Sequence, residues 1–265
     1  MSAPEKAAAT AHDQAQQSGR DASVCLAVSA VDKSFGGITA LIDCSLEVKK
    51  GSITALIGPN GSGKTTLFNC ITGFYQPDRG QIRVQGVPIA GRPPSEIVHL
   101  GLMRTFQVTR IFRRMTVLEN MIVPVRQLTL RSLFSAAIKG HEAQRAEALL
   151  EFVGLQNLRD QPAGSLSFGQ QKLLELVAAL MAEPDVLMLD EPAGGLNPVM
   201  IDKVAGHVRE LNARGVTFLI IEHNMGFVMN LCDPVIVMHR GTVIAQGTPA
   251  VVREDPIVLD AYLGD

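Results

Sequence analysis

The sequence contains no Trp and only two Tyr among its 265 residues. Proteins that bind single strands of nucleic acid usually stack successive bases on aromatic side chains, and few such side chains are present here. The formal net charge is −2, whereas nucleic-acid-binding domains usually carry a clear excess of Lys and Arg. We therefore expect no nucleic-acid partner.

Long apolar runs are also missing. A helix that crosses a bilayer needs about 20 consecutive apolar residues, and no run in this sequence approaches that length. The first 22 residues lack the apolar block that a secretory signal requires. We expect residues 1–22 to form a disordered leader and residues 23–265 to form a single domain.

Cysteine is scarce, with four residues in the chain. Cys25, Cys44, Cys70 and Cys232 are scattered, and their spacing does not match that of a metal site. Free, buried thiols in a reducing compartment are therefore expected.

Short apolar segments alternate with helical patterns along the chain, which predicts a mostly parallel sheet covered by helices on both faces. The segment Val186–Leu189 is apolar at every position, as expected for a strand buried on both sides. Residues 95–160 are instead mostly helical by their apolar spacing, with helices predicted over Met115–Met121 and Gly140–Phe152. A helical insert of about 108–165 is therefore predicted within an α/β core.

A glycine-rich phosphate-binding loop follows the predicted strand Ile53–Ile57 and opens a helix. Gly61 and Gly63 allow the backbone to curl so that N–H groups face phosphate oxygens. Lys64 adds a positive charge, and the hydroxyl of Thr65 is a suitable magnesium ligand. A glycine-rich turn without a ligand is the alternative, which the complete pattern disfavours. The residues predicted to contact ATP here are Gly58, Pro59, Asn60, Gly61, Ser62, Gly63, Lys64, Thr65 and Thr66.

An acidic pair ends the apolar segment Val186–Leu189. Asp190 is predicted to hold Mg²⁺, directly or through water. Glu191 is predicted to act as the general base on the attacking water. Two exposed carboxylates that open a turn are the alternative, and the buried strand before them disfavours it.

Two polar residues at strand ends are further candidates. Gln107 follows the predicted strand Leu102–Phe106, where an amide could contact both Mg²⁺ and the attacking water. His223 follows another apolar strand and could bind the γ-phosphate and orient the water. An ordinary polar strand end and a helix-capping histidine are the respective alternatives.

Ser167 and Gly169 precede a second long helix, predicted over Gln170–Met181, whose N-terminus is another anion-binding position. One nucleotide cannot occupy two helix starts unless a second protein copy supplies one of them. The sequence therefore predicts a nucleotide held between two protomers, with two ATP molecules per pair.

In this order and spacing, these motifs resemble the ATP-binding-cassette (ABC) superfamily over residues 24–263. The resemblance implies a P-loop NTPase core, an antiparallel β subdomain and a helical subdomain. It assigns Gly58–Thr65 to Walker A, Gln107 to the Q-loop and Leu166–Gln170, including Gln170, to the signature. Asp190 and Glu191 become Walker B and the base, and His223 becomes the switch histidine.

A closer resemblance is to the ATP-binding subunits of bacterial branched-chain (hydrophobic) amino-acid importers, the LivG type. It is carried by segments such as Met103–Gln107, Ala193–Pro198 and Ala261–Gly264. It implies a cassette on the cytoplasmic face of the bacterial inner membrane, bound to transmembrane permease subunits. A periplasmic solute-binding protein delivers the solute, and the second cassette is a paralogue or an identical copy.

Three positions need comment against the family pattern. Phe168 stands where most cassettes have Gly, although Ser167 and Gly169 remain. Asn197 stands where many cassettes have Asp, which removes a carboxylate from cross-talk between paired sites but keeps a hydrogen-bonding amide. Phe35 lies where cassettes stack an aromatic ring on adenine, and a core Phe before a turn is the alternative.

The motifs and the resemblance together predict an ATP-hydrolysing subunit that powers import of branched-chain or other hydrophobic amino acids. The same ATPase serving urea, short amides or aromatic acids is a strong alternative, because a cassette contacts the permease rather than the solute. A non-transport ABC protein acting on DNA or ribosomes is a weaker one, because the chain has neither a long coiled-coil insertion nor a second cassette.

Overall fold

The computed structural model describes residues 23–105, 111–125 and 140–263. The strands are β1 (Val24–Phe35), β2 (Ile38–Lys49), β3 (Ile53–Ile57), β4 (Arg79–Val84), β5 (Val87–Pro88), β6 (Leu102–Arg104), β7 (Val186–Asp190), β8 (Thr217–Ile221), β9 (Val235–His239) and β10 (Thr242–Gly247). The helices are α1 (Lys64–Ile71), α2 (Pro94–His99), α3 (Val117–Ile122), α4 (Gly140–Val153), α5 (Phe168–Leu180), α6 (Pro198–Ala213), α7 (Met225–Leu231), α8 (Pro249–Glu254) and α9 (Pro256–Leu263).

The larger sheet has the strand order β10-β9-β3-β8-β7-β6. Its strands are parallel except for β10, which pairs with β9 in the antiparallel sense. Every residue of β3, β7 and β8 is buried, as the continuous apolar runs predicted. Because these strands are parallel, the loops that follow them open on the same edge of the sheet.

The smaller sheet is antiparallel, in the order β2-β1-β4-β5, and confirms the predicted antiparallel β subdomain. Two apolar cores lie on either side of the larger sheet. On β3, Leu56 packs with the smaller sheet and α1, whereas Ala55 and Ile57 pack with the helices of the other face. This alternation fixes β3 between the two layers, and with it the loop that β3 carries.

The described part of the predicted helical insert consists of α3, α4 and short 3₁₀ turns. The helix expected from residue 115 begins two residues later because Thr116 caps it. The Thr116 hydroxyl accepts the Glu119 N–H, and the Glu119 carboxylate accepts the Thr116 N–H. The predicted leader of residues 1–22, the end of the strand expected to reach Phe106, and Gly264 lie outside the described residues.

Candidate nucleotide site

The phosphate loop connects β3 to α1, and its shape requires glycine at two positions. Gly58 has φ 150°, and a Cβ there would lie 2.1 Å from the carbonyl oxygen of Met238. Gly63 has φ 101°, and a Cβ there would lie 2.6 Å from the carbonyl oxygen of Ala40. Because backbone surrounds both positions closely, any side chain would push the loop out of its path.

Lys64 folds back over the loop that precedes it. Its ammonium group donates to the carbonyl oxygens of Gly58 and Pro59, each at 2.8 Å, and to the hydroxyl of Ser62 at 3.1 Å. Burial lowers the pKa of Lys64, while the neighbouring carboxylates of Glu191 and Asp190 oppose that shift. The amine is therefore a cation fixed within the loop rather than a mobile surface charge.

The outer side of the loop is accessible. Asn60, Gly61 and Thr65 are exposed, whereas Ser62 is buried and its carbonyl oxygen accepts the Gly241 N–H at 3.0 Å. The loop is thus held to the core through Ser62 and exposed to solvent at Asn60, Gly61 and Thr65. The exposed residues leave that side of the loop open to a ligand.

Asp190, the predicted magnesium ligand, ends β7 and is 4% exposed. Its Oδ2 accepts from the guanidinium of Arg104 at 2.6 Å, and another nitrogen of that group donates to the side-chain oxygen of Asn69 at 2.6 Å. The guanidinium also lies over the Phe68 ring, 5.4 Å from its centroid. Our sequence interpretation missed this role of Arg104, although a basic residue inside an apolar strand is a usable signal.

The described ranges contain no group of three His, Cys, Asp or Glu side chains that could hold a metal ion. Thr65 carries an exposed hydroxyl at the start of α1, and Asp190 carries a carboxylate at the end of β7. Magnesium normally keeps several waters and takes further ligands from substrate phosphates, so a sparse donor set of this kind suits it.

Glu191, the predicted base, follows Asp190 in an unusual backbone conformation. Its φ is +51°, in the left-handed region that non-glycine residues rarely adopt. Its N–H donates to the carbonyl oxygen of Ile221 at 2.9 Å, and its own carbonyl accepts the Gly194 N–H at 3.1 Å. Such a conformation costs about 1–3 kcal/mol and is concentrated at functional sites, which fits a side chain that must be aimed.

In the structure, His223 lies beside Glu191, the predicted base. Its Nδ1 lies 3.7 Å from Oε1 of Glu191, and its side chain is 70% exposed. The alternative role as a helix cap does not hold, because Asn224 caps α7: its side-chain oxygen accepts the Phe227 N–H at 3.0 Å. Between β8 and His223 lies Glu222, a buried carboxylate that the sequence interpretation did not single out.

The signature segment begins α5 and is organised within its own chain. Ser167 is exposed and caps α5, since its hydroxyl accepts the Gln170 N–H while the Gln170 side chain accepts the Ser167 N–H. A Cβ on Gly169 would lie 2.8 Å from the Met200 side chain, and Phe168 is 48% exposed. The side chain of Gln170, predicted to contact nucleotide, is thus already used in the cap.

Two further predicted residues lie at the surface, and one lies outside the described residues. Phe35 is 41% exposed and meets the Tyr75 ring edge-on, with 5.1 Å between centroids, so it is not the core Phe of the alternative. Asn197 caps α6, its side-chain oxygen accepting the Met200 N–H at 2.9 Å. Gln107 falls outside the described ranges.

The helices that the structure describes include none that is both long and apolar enough to cross a membrane.

Comparisons with known proteins identify the family of this chain. Residues 41–194, more than half of the chain, match the family described as ABC transporter. Residues 242–265 match the family described as branched-chain amino acid ATP-binding cassette transporter.

Two curated relatives and one solved structure illustrate the similarity. The chain is 43% identical to the high-affinity branched-chain amino acid transport ATP-binding protein LivG of Salmonella typhimurium, over 91% of this chain and 98% of the relative. It is 40% identical, with the same coverage, to the corresponding protein BraF of Pseudomonas aeruginosa.

A crystal structure of the ADP conformation of an ATP-binding cassette of an ABC transporter superposes with a TM-score of 0.82. It is 40% identical, and the match covers 91% of this chain and 99% of that one. The identity, the coverage and the matched phosphate loop agree, and the chain therefore belongs to the ABC transporter family as an ATP-binding ATPase subunit.

Proposed function

We propose that this ATPase subunit powers the import of branched-chain amino acids. The observation that carries the proposal is the match of residues 242–265 to the branched-chain amino acid cassette family. This segment comprises β10, α8 and α9 and contains none of the predicted nucleotide-binding residues. The similarity of this segment to the family therefore lies outside the predicted nucleotide-binding residues. It supports branched-chain amino acids as the solute, the class named for both relatives.

ATP is the substrate of the proposed reaction. Residues 58–66 hold its phosphates, with Lys64 as the fixed cation, and Phe35 contacts the adenine. Thr65, Asp190 and Gln107 would hold Mg²⁺, which supplies charge neutralisation on the phosphates when it is bound. The open outer side of the loop supports this assignment.

Glu191 and His223 act on the water. The carboxylate of Glu191 takes a proton from the water while the water oxygen attacks the γ-phosphorus. ADP leaves with the electrons of the broken P–O bond. His223 orients that water and contacts the γ-phosphate. The 3.7 Å between the two side chains supports their joint action on one molecule.

A second cassette completes each site. Ser167, Gly169, Gln170 and Asn197 of one protomer face the ATP in the phosphate loop of the other. The exposure of Ser167 and Phe168 supports this arrangement, because both remain accessible at the N-terminus of α5, where anions bind favourably. The partner cassette is a paralogue or an identical copy.

Subunits of this family work with transmembrane permeases. We place the chain on the cytoplasmic face of the bacterial inner membrane, where the closing of two cassettes moves the helical insert and the permease with it. A periplasmic solute-binding protein delivers the amino acid and acts on the cassette only indirectly.

Uptake of labelled leucine tests the proposal, in cells that carry either the natural sequence or Lys64→Ala at the native locus. We expect the variant to lose saturable uptake while the protein stays at its normal level. We also expect excess isoleucine and valine, but not urea, short amides or aromatic acids, to inhibit uptake in the natural strain. Unchanged uptake, in cells without a second leucine importer, would contradict the solute assignment.

A further inference from the structure

Glu222 places a carboxylate inside the protein, between two loops of the site. It follows the last residue of β8 and is 1% exposed. Taking a carboxylate out of water is costly unless its oxygens receive hydrogen bonds, so a buried Glu at this position requires specific partners. Its partners are backbone groups.

Three N–H groups donate to this one side chain. Oε1 accepts the Ala193 N–H at 2.7 Å, and Oε2 accepts the N–H groups of His223 and Asn224, each at 3.0 Å. Ala193 belongs to the loop that follows Glu191, whereas His223 begins the next loop. A single carboxylate therefore fastens the two loops that carry the predicted base and the predicted water-orienting histidine.

The same loops also meet through the contact between Glu191 and His223 and through a backbone hydrogen bond. In that hydrogen bond, the N–H of Glu191 donates to the carbonyl oxygen of Ile221, the residue before Glu222. Glu191 itself holds a φ of +51°. A residue in such a conformation is kept there by its surroundings, and hydrogen bonds to a charged acceptor are about twice as strong as neutral ones. Glu222 accepts three of them: one from Ala193, two residues after the strained position, and two from the facing loop.

We propose that Glu222 is a positioning residue for ATP hydrolysis, whose carboxylate sets the separation and orientation of Glu191 and His223. It does not contact the nucleotide. This inference rests on the roles proposed above for Glu191 and His223.

Two substitutions of Glu222 separate the effect of its acceptor oxygens from that of its shape. Glu222→Gln keeps the shape but has only one acceptor oxygen, so in either orientation its amide N–H₂ faces at least one backbone N–H. Glu222→Asp keeps both acceptor oxygens and the charge but is one methylene shorter. Glu210→Gln makes the same chemical change on the exposed side of α6 and is the matched control.

The experiment uses the transporter purified from membranes through this full-length chain, because a second cassette completes each site. For each variant, the dissociation constant for ATP and the rate of phosphate release per bound ATP are measured. We expect Glu222→Gln to lower the rate per bound ATP by roughly 10- to 100-fold, the scale of a displacement of about 1 Å in a catalytic group. Binding of ATP should stay within about twofold. Glu222→Asp should retain an intermediate rate, and Glu210→Gln should match the natural protein.

A double-mutant cycle separates positioning from general destabilisation. If Glu222 acts by holding His223 in place beside Glu191, then Glu222→Gln should cost much less in a His223→Ala background, where that placement no longer matters, than in the natural protein. Equal costs in both backgrounds would overturn the proposal, as would a loss that arises only from fewer ATP-binding molecules. If Glu222→Gln does not fold, the same cycle with Glu222→Asp decides the question.

Glu191→Gln, measured alongside, separates this inference from the function on which it rests. Normal hydrolysis in Glu191→Gln would overturn the proposed base itself. A loss in Glu191→Gln together with normal hydrolysis in Glu222→Gln would overturn only the role of Glu222.

Discussion

The guanidinium of Arg104 lies 2.6 Å from a carboxylate oxygen of Asp190, and the two side chains are 6% and 4% exposed. Arg104 comes from β6 and Asp190 from the neighbouring β7. A second contact from the same guanidinium reaches Asn69 on α1, the helix that follows the phosphate loop. One buried side chain thus joins the strand that carries the proposed magnesium ligand to the helix that carries the phosphate loop.

The first prediction concerns this buried pair. Arg104→Met removes the guanidinium but leaves a buried carboxylate without it, which should lower the free energy of unfolding by about 3–5 kcal/mol. Denaturation in urea measures this loss. The control is Arg92→Met, which removes an exposed partner lying 3.6 Å from Glu96 and should cost less than about 1 kcal/mol. Equally small losses in both variants would show that Asp190 does not depend on Arg104.

The second prediction concerns the adenine contact of Phe35. Phe35→Ala should weaken ATP binding by about 1–3 kcal/mol, the usual effect of removing an aromatic side chain that stacks on a base. Phe35→Tyr keeps the ring and should bind ATP normally. Inorganic triphosphate has no base, so its binding should be the same in all three proteins. Calorimetric titration measures each case, and equal weakening of ATP and triphosphate would place Phe35 away from the adenine.

Local sequence patterns were sufficient for the parts of the site that depend on neighbouring residues. The phosphate loop, the apolar strands and the strand-end positions of Glu191 and His223 all follow from residues close in the chain. The links between these parts do not. Arg104 and Asp190 are 86 residues apart, and Ala193 and Glu222 are 29 apart, so only the packed sheet brings them together.

The predicted and observed starts of the helices also differ, and the reason is local. The helix predicted from Gln170 begins at Phe168 because the side chains of Ser167 and Gln170 bond to each other's backbone. The pattern that announces a capping box is visible in the sequence. Our interpretation assigned both polar residues to nucleotide contact instead, so it placed the start of the helix two residues too late.

The third prediction is a loss of stability at high pH. Burial raises the pKa of Cys44 and of Cys232 to about 12, and that of Cys70 to about 11. In the unfolded chain these thiols titrate near pH 8.5. The unfolded state therefore releases protons first, so the stability that the neutral thiols contribute is present below about pH 8.5 and is lost as pH rises towards 12.

Urea denaturation at a series of pH values measures this effect. Above pH 9 the free energy of unfolding should fall by up to about 1.4 kcal/mol per pH unit for each thiol. Cys44→Ala is the control, and its decline should be shallower whatever its starting stability. The same slope in both proteins would mean that Cys44 does not contribute.

The fourth prediction concerns the second cassette. Ser167→Asp keeps a good helix cap, so α5 should remain stable. The added carboxylate would face the phosphates of an ATP bound to the partner, and like charges repel. The transporter purified from membranes through this chain should lose ATP hydrolysis, whereas ATP binding to the isolated chain should not change. Normal hydrolysis by that complex would place Ser167 away from the partner's nucleotide.

The most direct test of the proposed mechanism is ATP hydrolysis by the Glu191→Gln variant. Transporters are purified from membranes through the natural chain, through Glu191→Gln and through the exposed control Glu210→Gln. Phosphate release per bound ATP and ATP affinity are measured for each. The account predicts a rate about 10²–10⁴-fold lower in Glu191→Gln, the usual contribution of a general base, with ATP affinity unchanged and the control unaffected. A rate close to that of the natural chain in Glu191→Gln would contradict it.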